Sequence, residues 1–218
     1  ILSIYTIMSD TEAEPVYVIK RDGRREEVSF DKVSRRIKTL SKGLKVSYFV
    51  IAQKVCNRIY PNVNTSELDE LAAKLCASMA SDKLDYGTLA SRIIISNNHK
   101  NTSPSFSEAM ETLWNNTDKL GKASPLINES VYKMVQEHKT KLNSLIDCNN
   151  DYLFDYFAYK TLERAYLCKV KGKTVERIQY MFMRVSLGLW PDDLKNALKS
   201  YSLLCQKLFT HATPTLYH

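Results

Sequence analysis

From Val16 the chain runs Val-Tyr-Val-Ile, meets Asp22-Gly23, then alternates apolar and polar again from Glu26 to Phe30. Period-two alternation on both sides of an Asp-Gly pair predicts a β-hairpin. Directly after it, Val33, Ile37, Leu40 and Leu44 recur at helical spacing, Arg35, Arg36 and Lys38 fall on the other face, and Gly43 closes the run. Asp31 is placed to cap this first helix, because its carboxylate can accept from the free N–H groups of the opening turn. A second helix fits residues 47–60, with Ile51, Val55 and Ile59 four apart and Pro61 as its stop. The third carries Leu68, Leu71, Ala72, Leu75 and Met79 on one stripe, with Thr65 or Ser66 as cap and capping-box spacing from Ser66 to Asp69. A fourth begins at Asp85 and runs through Leu89 and Ile93 to His99-Lys100.

The remainder reads as mostly helical. Phe106, Ala109, Met110, Leu113 and Trp114 form an amphipathic stripe; Ser124-Pro125 has the form of a cap with proline at the first helical position; Val131, Met134, Val135, His138 and Leu142 continue one further helix. Between Cys148 and Tyr166 the chain is dense in aromatics, which predicts core. Residues 169–176 around Gly172-Lys173 predict a second hairpin, and two helices over 177–189 and 192–208 are broken at Trp190-Pro191. Thr213-Pro214-Thr215-Leu216-Tyr217 is expected to be extended. The fold class is therefore α+β and mainly α-helical, a small hairpin with four helices followed by a longer helical segment.

Composition adds bounds. With 218 residues, 44% hydrophobic and 25% charged, the chain can bury a sizeable core. No apolar run approaches the roughly 20 residues that cross a bilayer. The five cysteines show no CxxC and no close Cys/His spacing, which points away from a zinc site or a disulfide framework and towards a reducing compartment. A net charge of +7 permits a nucleic-acid partner, but no nucleic-acid motif accompanies it. Ile1 to Ile7 are apolar but lack the marks of a signal peptide, and they are expected to precede the natural initiator at Met8.

Charge density changes the picture at the first hairpin. Lys20, Arg21, Arg24 and Arg25 crowd its turn and Lys32 stands at the mouth of the first helix, where the backbone dipole favours an anion. The combination forms a candidate triphosphate cradle. Glu26, Thr65 and Asp69 are polar groups able to read a sugar or base, and Thr65 and Asp69, four apart on the third helix, share a face. The competing reading is that Thr65 or Ser66 caps the helix and Asp69 complements its dipole. Lys100 closes the fourth helix, where a cation is also favoured by the dipole alone. The histidines show no spacing from which a nucleophilic triad could be argued.

Val-Ile-Lys-Arg-Asp-Gly-Arg, then Phe30-Asp31-Lys32, then Arg36-Ile37 resemble the opening of an ATP-cone domain. Ser66-Glu67-Leu68-Asp69, Tyr86-Gly87-Thr88-Leu89-Ala90-Ser91-Arg92-Ile93, Phe157-Ala158-Tyr159-Lys160-Thr161-Leu162-Glu163-Arg164 and Phe209-Thr210-His211-Ala212-Thr213-Pro214-Thr215-Leu216 come in the order found in the class I ribonucleotide reductase large subunit. The resemblance implies a leader over 1–15 that is disordered or non-native, a regulatory cone over 16–110, a helical segment over 111–208, and over 209–218 the start of the first strand of a truncated α/β barrel. It implies an allosteric site for ATP or dATP, with Mg, held by Lys20, Arg21, Glu26, Glu27, Val28, Ser29, Phe30, Asp31, Lys32, Thr65, Asp69 and Lys100. Thr213 matches a position that contacts the substrate diphosphate. It further implies a cytoplasmic enzyme that reduces ribonucleoside diphosphates by radical chemistry, a radical-generating small subunit as partner, and self-association into dimers or higher oligomers, with no membrane or nucleic-acid partner and no metal held by side chains of this stretch. The family's catalytic cysteines lie beyond the segment that ends here at residue 218, so this stretch alone is expected to be inactive. Two alternatives stand beside it: a cone-containing regulator that binds DNA, which would pair the cone with a zinc ribbon absent from this sequence, and a degenerate cone kept as a dimerisation module.

Overall fold

The computed structural model describes residues 16–217; the expected leader over 1–15 lies outside them. β1 (Tyr17–Ile19) and β2 (Arg25–Glu27) form the expected antiparallel hairpin, Val18 facing Glu26. The turn is closed by Gly23 N–H donating to Lys20 O, and Gly23 takes a φ of +85°, a left-handed conformation open to glycine at little cost. A third strand, β3 (Val63–Asn64), joins in parallel with β1 to give the order β2-β1-β3. Val63 is buried opposite Val18, so the short strand is held by its one apolar side chain rather than by an alternating pattern. Two residues are too few to show a period.

α1 (Phe30–Leu40) is capped by Ser29, whose hydroxyl accepts from Lys32 N–H, and not by Asp31. Strand-like backbone persists through Ser29, which leaves Asp31 inside the first turn, where it complements the dipole. α2 (Tyr48–Cys56) ends four residues before Tyr60, because the residue before a proline avoids helical geometry and Asn62 then turns left-handed with φ +64° to lead into β3. α3 (Thr65–Ser78) starts after Asn64 without any side-chain cap, and the capping box from Ser66 to Asp69 is not formed. Ser66 Oγ instead accepts from Asn101 Nδ2 at 2.8 Å. α4 (Leu84–Asn101) is the long helix against which α3 and α1 pack; its Arg92 donates to the Leu40 and Lys42 carbonyls at the end of α1. Gly87 lies on this helix with Ala80 Cβ 3.4 Å from where a side chain would begin.

Beyond α4 come α5 (Phe106–Trp114), α6 (Glu129–Glu137), α7 (Lys139–Leu145), a 3₁₀ turn over Cys148–Leu153, α8 (Tyr156–Ala165), the hairpin β4 (Lys169–Val170) and β5 (Lys173–Thr174), α9 (Ile178–Leu189), α10 (Leu194–Cys205) and α11 (Thr213–Tyr217). Three expectations are corrected here. Ser124-Pro125 opens no helix, because Ser124 N–H donates to Asn116 O, Asn116 Nδ2 donates to Ser124 O and Leu126 N–H returns to Leu113 O, tying the segment to the end of α5. The helix through Val131 and Leu142 is divided at His138, which leaves helical geometry. Thr213 to Tyr217 is a helical turn, not an extended run: Pro214 stands in the first turn, where its missing N–H removes no bond, and Leu216 is buried.

α9 is the core of the second half, buried at every residue from Ile178 to Leu187. A helix surrounded in this way must pair its polar groups internally. Arg184 reaches Glu176 through Nε at 2.7 Å and Nη2 at 3.1 Å, and Glu176 also accepts from Cys168 N–H at 2.8 Å. Burial would suppress the Arg184 charge, but the adjoining carboxylate wins and holds its pKa above the usual arginine range. Glu176→Gln is expected to lower unfolding free energy by about 3–5 kcal/mol, the usual effect of breaking a buried pair from one side. Urea titration of the whole chain measures it, and a loss under about 1 kcal/mol would contradict this account of the core.

Candidate functional site

The first strand turn, α1 and α3 enclose a cleft of about 420 Å³. Val18, Val33, Ile37, Val55, Leu68 and Ala72 form its apolar floor. Its charged rim carries six cations, Lys20, Arg21, Lys32, Arg35, Arg36 and Lys100, against three carboxylates, Glu26, Glu27 and Asp69. The excess is positive, so the cleft favours an anion that carries several charges and an apolar or aromatic body.

Two carboxylates organise the cations. Glu26 Oε1 lies 2.8 Å from Lys32 Nζ and 3.5 Å from Lys20 Nζ, bridging β2 to α1 and to the end of β1. On the other side Asp69 is gripped by two guanidinium groups. Arg21 Nη2 is 2.9 Å from Oδ2, and Arg36 binds in a fork, Nη2 to Oδ2 at 3.1 Å and Nε to Oδ1 at 3.3 Å. Arg21 also donates to Asn97 and, at 2.7 Å, to Asn101; Arg36 donates to Ser96 at 3.0 Å. Asp69 is buried and the two arginines are about three-quarters covered, so this pairing works in a reduced dielectric where charge-assisted bonds are strong.

Two features mark the cleft as built for something further. Thr65 Oγ1 is buried and meets no hydrogen-bond partner, one turn before Asp69 on α3. Such a group costs free energy unless a ligand or water satisfies it. Lys100 is held below the usual lysine range, first by partial burial and next by the field of Arg36, with Arg21 and Lys20 adding and Asp69 opposing. Cations crowded enough to depress one another gain from an incoming anion.

Of the twelve residues expected to hold a nucleotide, ten line this cleft. Phe30 and Asp31 do not: Phe30 packs edge-on against Phe49 at 5.3 Å and Asp31 is exposed. Asp69 is there, but with its oxygens committed to arginines rather than open to a sugar hydroxyl. Thr213 lies elsewhere, its hydroxyl 2.9 Å from Tyr166 Oη. Sequence reasoning misses Arg35 and Arg36, which it sets on the solvent face of α1. The usable signal is spacing, since Arg36 stands four residues after Lys32 and Arg35 three. Among the described residues no group of three or more His, Cys, Asp or Glu is placed to hold a metal ion, and no helix is long and apolar enough to cross a membrane.

Comparison with known proteins gives two family matches and a set of similar chains. Residues 16–101 match the ATP cone domain family, and residues 152–218 match the family described as ribonucleotide reductase, all-alpha domain. Over 93% of its length the chain is 46% identical to the ribonucleoside-diphosphate reductase large subunit of Arabidopsis thaliana, covering 25% of that protein. It is 47% identical to the large chain of Cryptosporidium parvum, covering 26%, and 45% identical to large chain 2 of Saccharomyces cerevisiae, covering 24%. The chain thus spans about a quarter of the length of the curated relatives it matches.

The carboxyl of Glu26 is held below the ordinary glutamate range, chiefly by its hydrogen bond to Lys32. A depressed carboxylate keeps its bridge above that pKa and loses it as pH falls through it. Carbon-13 NMR titration of Glu26 should therefore give a midpoint below 4.5, the ordinary value, and Lys32→Ala should move it upward. A midpoint unchanged by the substitution would contradict the bridge.

Proposed function

We propose that this ATP cone and the helical segment after it form the amino-terminal regulatory region of a ribonucleoside-diphosphate reductase large subunit, and that the cleft takes ATP or dATP as an allosteric effector. The observation that carries the reading is the cleft itself: an excess of cations around an apolar floor, with an unsatisfied buried threonine hydroxyl, falls within the residues matched to the ATP cone. The residues fit the ligand. Lys20, Lys32 and Lys100 supply charge for phosphates, Thr65 offers a hydroxyl that can donate or accept, and Val18, Val28 and Val33 offer apolar surface for a base. Magnesium would come with the phosphates rather than through a cage of side chains. Phe30 and Asp31 support the site indirectly, by seating and charging the first turn of α1.

In the whole protein the chemistry would be reduction of ribonucleoside diphosphates to deoxyribonucleoside diphosphates for DNA synthesis, in the cytoplasm and with a radical-generating small subunit. This region would supply control, with ATP and dATP favouring different self-associated states; a ligand shifts such an equilibrium only by its differential affinity for the two. Thr213, whose hydroxyl is exposed beside Tyr166, would contribute to the substrate diphosphate site.

Calorimetric titration with ATP and dATP tests the reading. Saturable binding is expected for the intact chain. Thr65→Val, which keeps the shape and removes the unpaired hydroxyl, should weaken ATP binding roughly three- to tenfold, the worth of one neutral hydrogen bond, without lowering stability. Absence of heat with both nucleotides at millimolar concentration would overturn the assignment. Unchanged affinity in Thr65→Val would remove the threonine from the site.

A further inference from the structure

We infer that Arg36 directly contacts a phosphate beyond the first in the cleft's ligand, and that Asp69 serves as the positioning residue that holds Arg36 and Arg21 ready for it. The inference rests on the nucleotide reading above and assigns new roles within that site. A guanidinium has five N–H donors in a rigid plane. Arg36 spends Nε and one Nη2 direction on Asp69 and another on Ser96. No hydrogen bond among the described residues uses Nη1, whose two N–H groups remain for a ligand. The side chain lines the cleft and is about a quarter exposed, so an anion can reach it.

Charge balance separates this from a purely structural role. Were Arg36 present only to neutralise Asp69, one guanidinium would suffice, and Arg21 already provides it at 2.9 Å. With Arg36 and the neighbouring Lys100 added, three cations stand against one buried carboxylate. Lys20 and Lys32 share a single oxygen of Glu26. Over the whole rim six cations stand against three carboxylates, and the uncompensated positive charge matches a polyphosphate better than a monophosphate. The rigidity of the Asp69 fork matters because a guanidinium fixed in advance loses less conformational freedom on binding than a free one. Asp69 has no donor for a phosphate and its oxygens are engaged, so its effect on a ligand passes through the arginines.

The test compares ATP with AMP on the full chain, since the two share base and sugar and differ in phosphate number. In Arg36→Gln, ATP affinity should fall by about tenfold or more, as for loss of a hydrogen bond to a charged group, while AMP affinity changes less than about threefold. Arg36→Lys, which keeps the charge but not the fork, should fall between. A merely structural arginine would weaken both nucleotides by the same factor. Arginine-selective modification of the unaltered chain by phenylglyoxal, mapped by mass spectrometry, gives a readout independent of any variant's folding. ATP at saturation should protect Arg36, and AMP at equal occupancy should not. An unchanged ATP-to-AMP ratio in Arg36→Gln, or Arg36 modified equally with and without ATP, would overturn the assignment while leaving the nucleotide site standing. Failure of the unaltered chain to bind ATP would overturn both.

Discussion

The cleft depends on one buried carboxylate. Asp69 lies on α3, Arg21 in the turn after β1 and Arg36 on α1, so the three elements that wall the cleft meet at its two oxygens. Remove that charge and two guanidinium groups face each other across a part-buried gap with nothing between them. A pairing of this kind adds little net stability, because desolvation of the ions offsets much of their attraction. Its value is geometric. It fixes where cationic groups stand before any ligand arrives, and a ligand that meets preplaced charge does not have to organise it.

The same network leads out of the cleft. Arg21 passes from Asp69 to Asn97 and Asn101 on α4, and Asn97 lies 3.4 Å from Glu70, which is paired at 3.2 Å with Lys160 on α8. The end of α4 is fastened again by Arg177, which donates to the His99 carbonyl and the Thr102 hydroxyl, and by His99 against buried Asp151 at 2.7 Å. Thus α4 carries Lys100 to the cleft and also packs against α8 and the 3₁₀ turn of the second half. The arginine cluster is joined to α8 by a chain of polar contacts through Asn97 and Glu70.

Much of this is legible in the sequence, for identifiable reasons. The Asp-Gly turn, the four apolar stripes and the second hairpin at Gly172 are local patterns with known periods, and the structure has them. Of the cations that announce a phosphate-sized charge, Lys20, Arg21 and Lys32 line one cleft, whereas Arg24 pairs with Asp22 and Arg25 lies over the Tyr17 ring. The features that escape are those set by long-range contact. β3 has no pattern of its own and exists because Val63 meets Val18. Ser66 and Asp69 have the spacing of a capping box, yet Arg21, Arg36 and Asn101 compete for them more strongly from other elements. Amphipathic reading leaves Arg36 in solvent because it divides a helix into apolar and polar faces, and a charged cleft on the polar side is invisible to it. Proline suggests an extended run at Thr213 to Tyr217, although proline in a first helical turn is equally favourable.

The cations around Asp69 are proposed here as a nucleotide site. Amide NMR of the labelled chain titrated with ATP tests it most directly. The largest saturable shifts are expected at Lys20 and Arg21, Glu26 to Lys32, Thr65 to Asp69 and Lys100. Largest shifts in the loop over 116–124 or along α10, with the Arg21, Thr65 and Asp69 signals unmoved, would contradict the proposal.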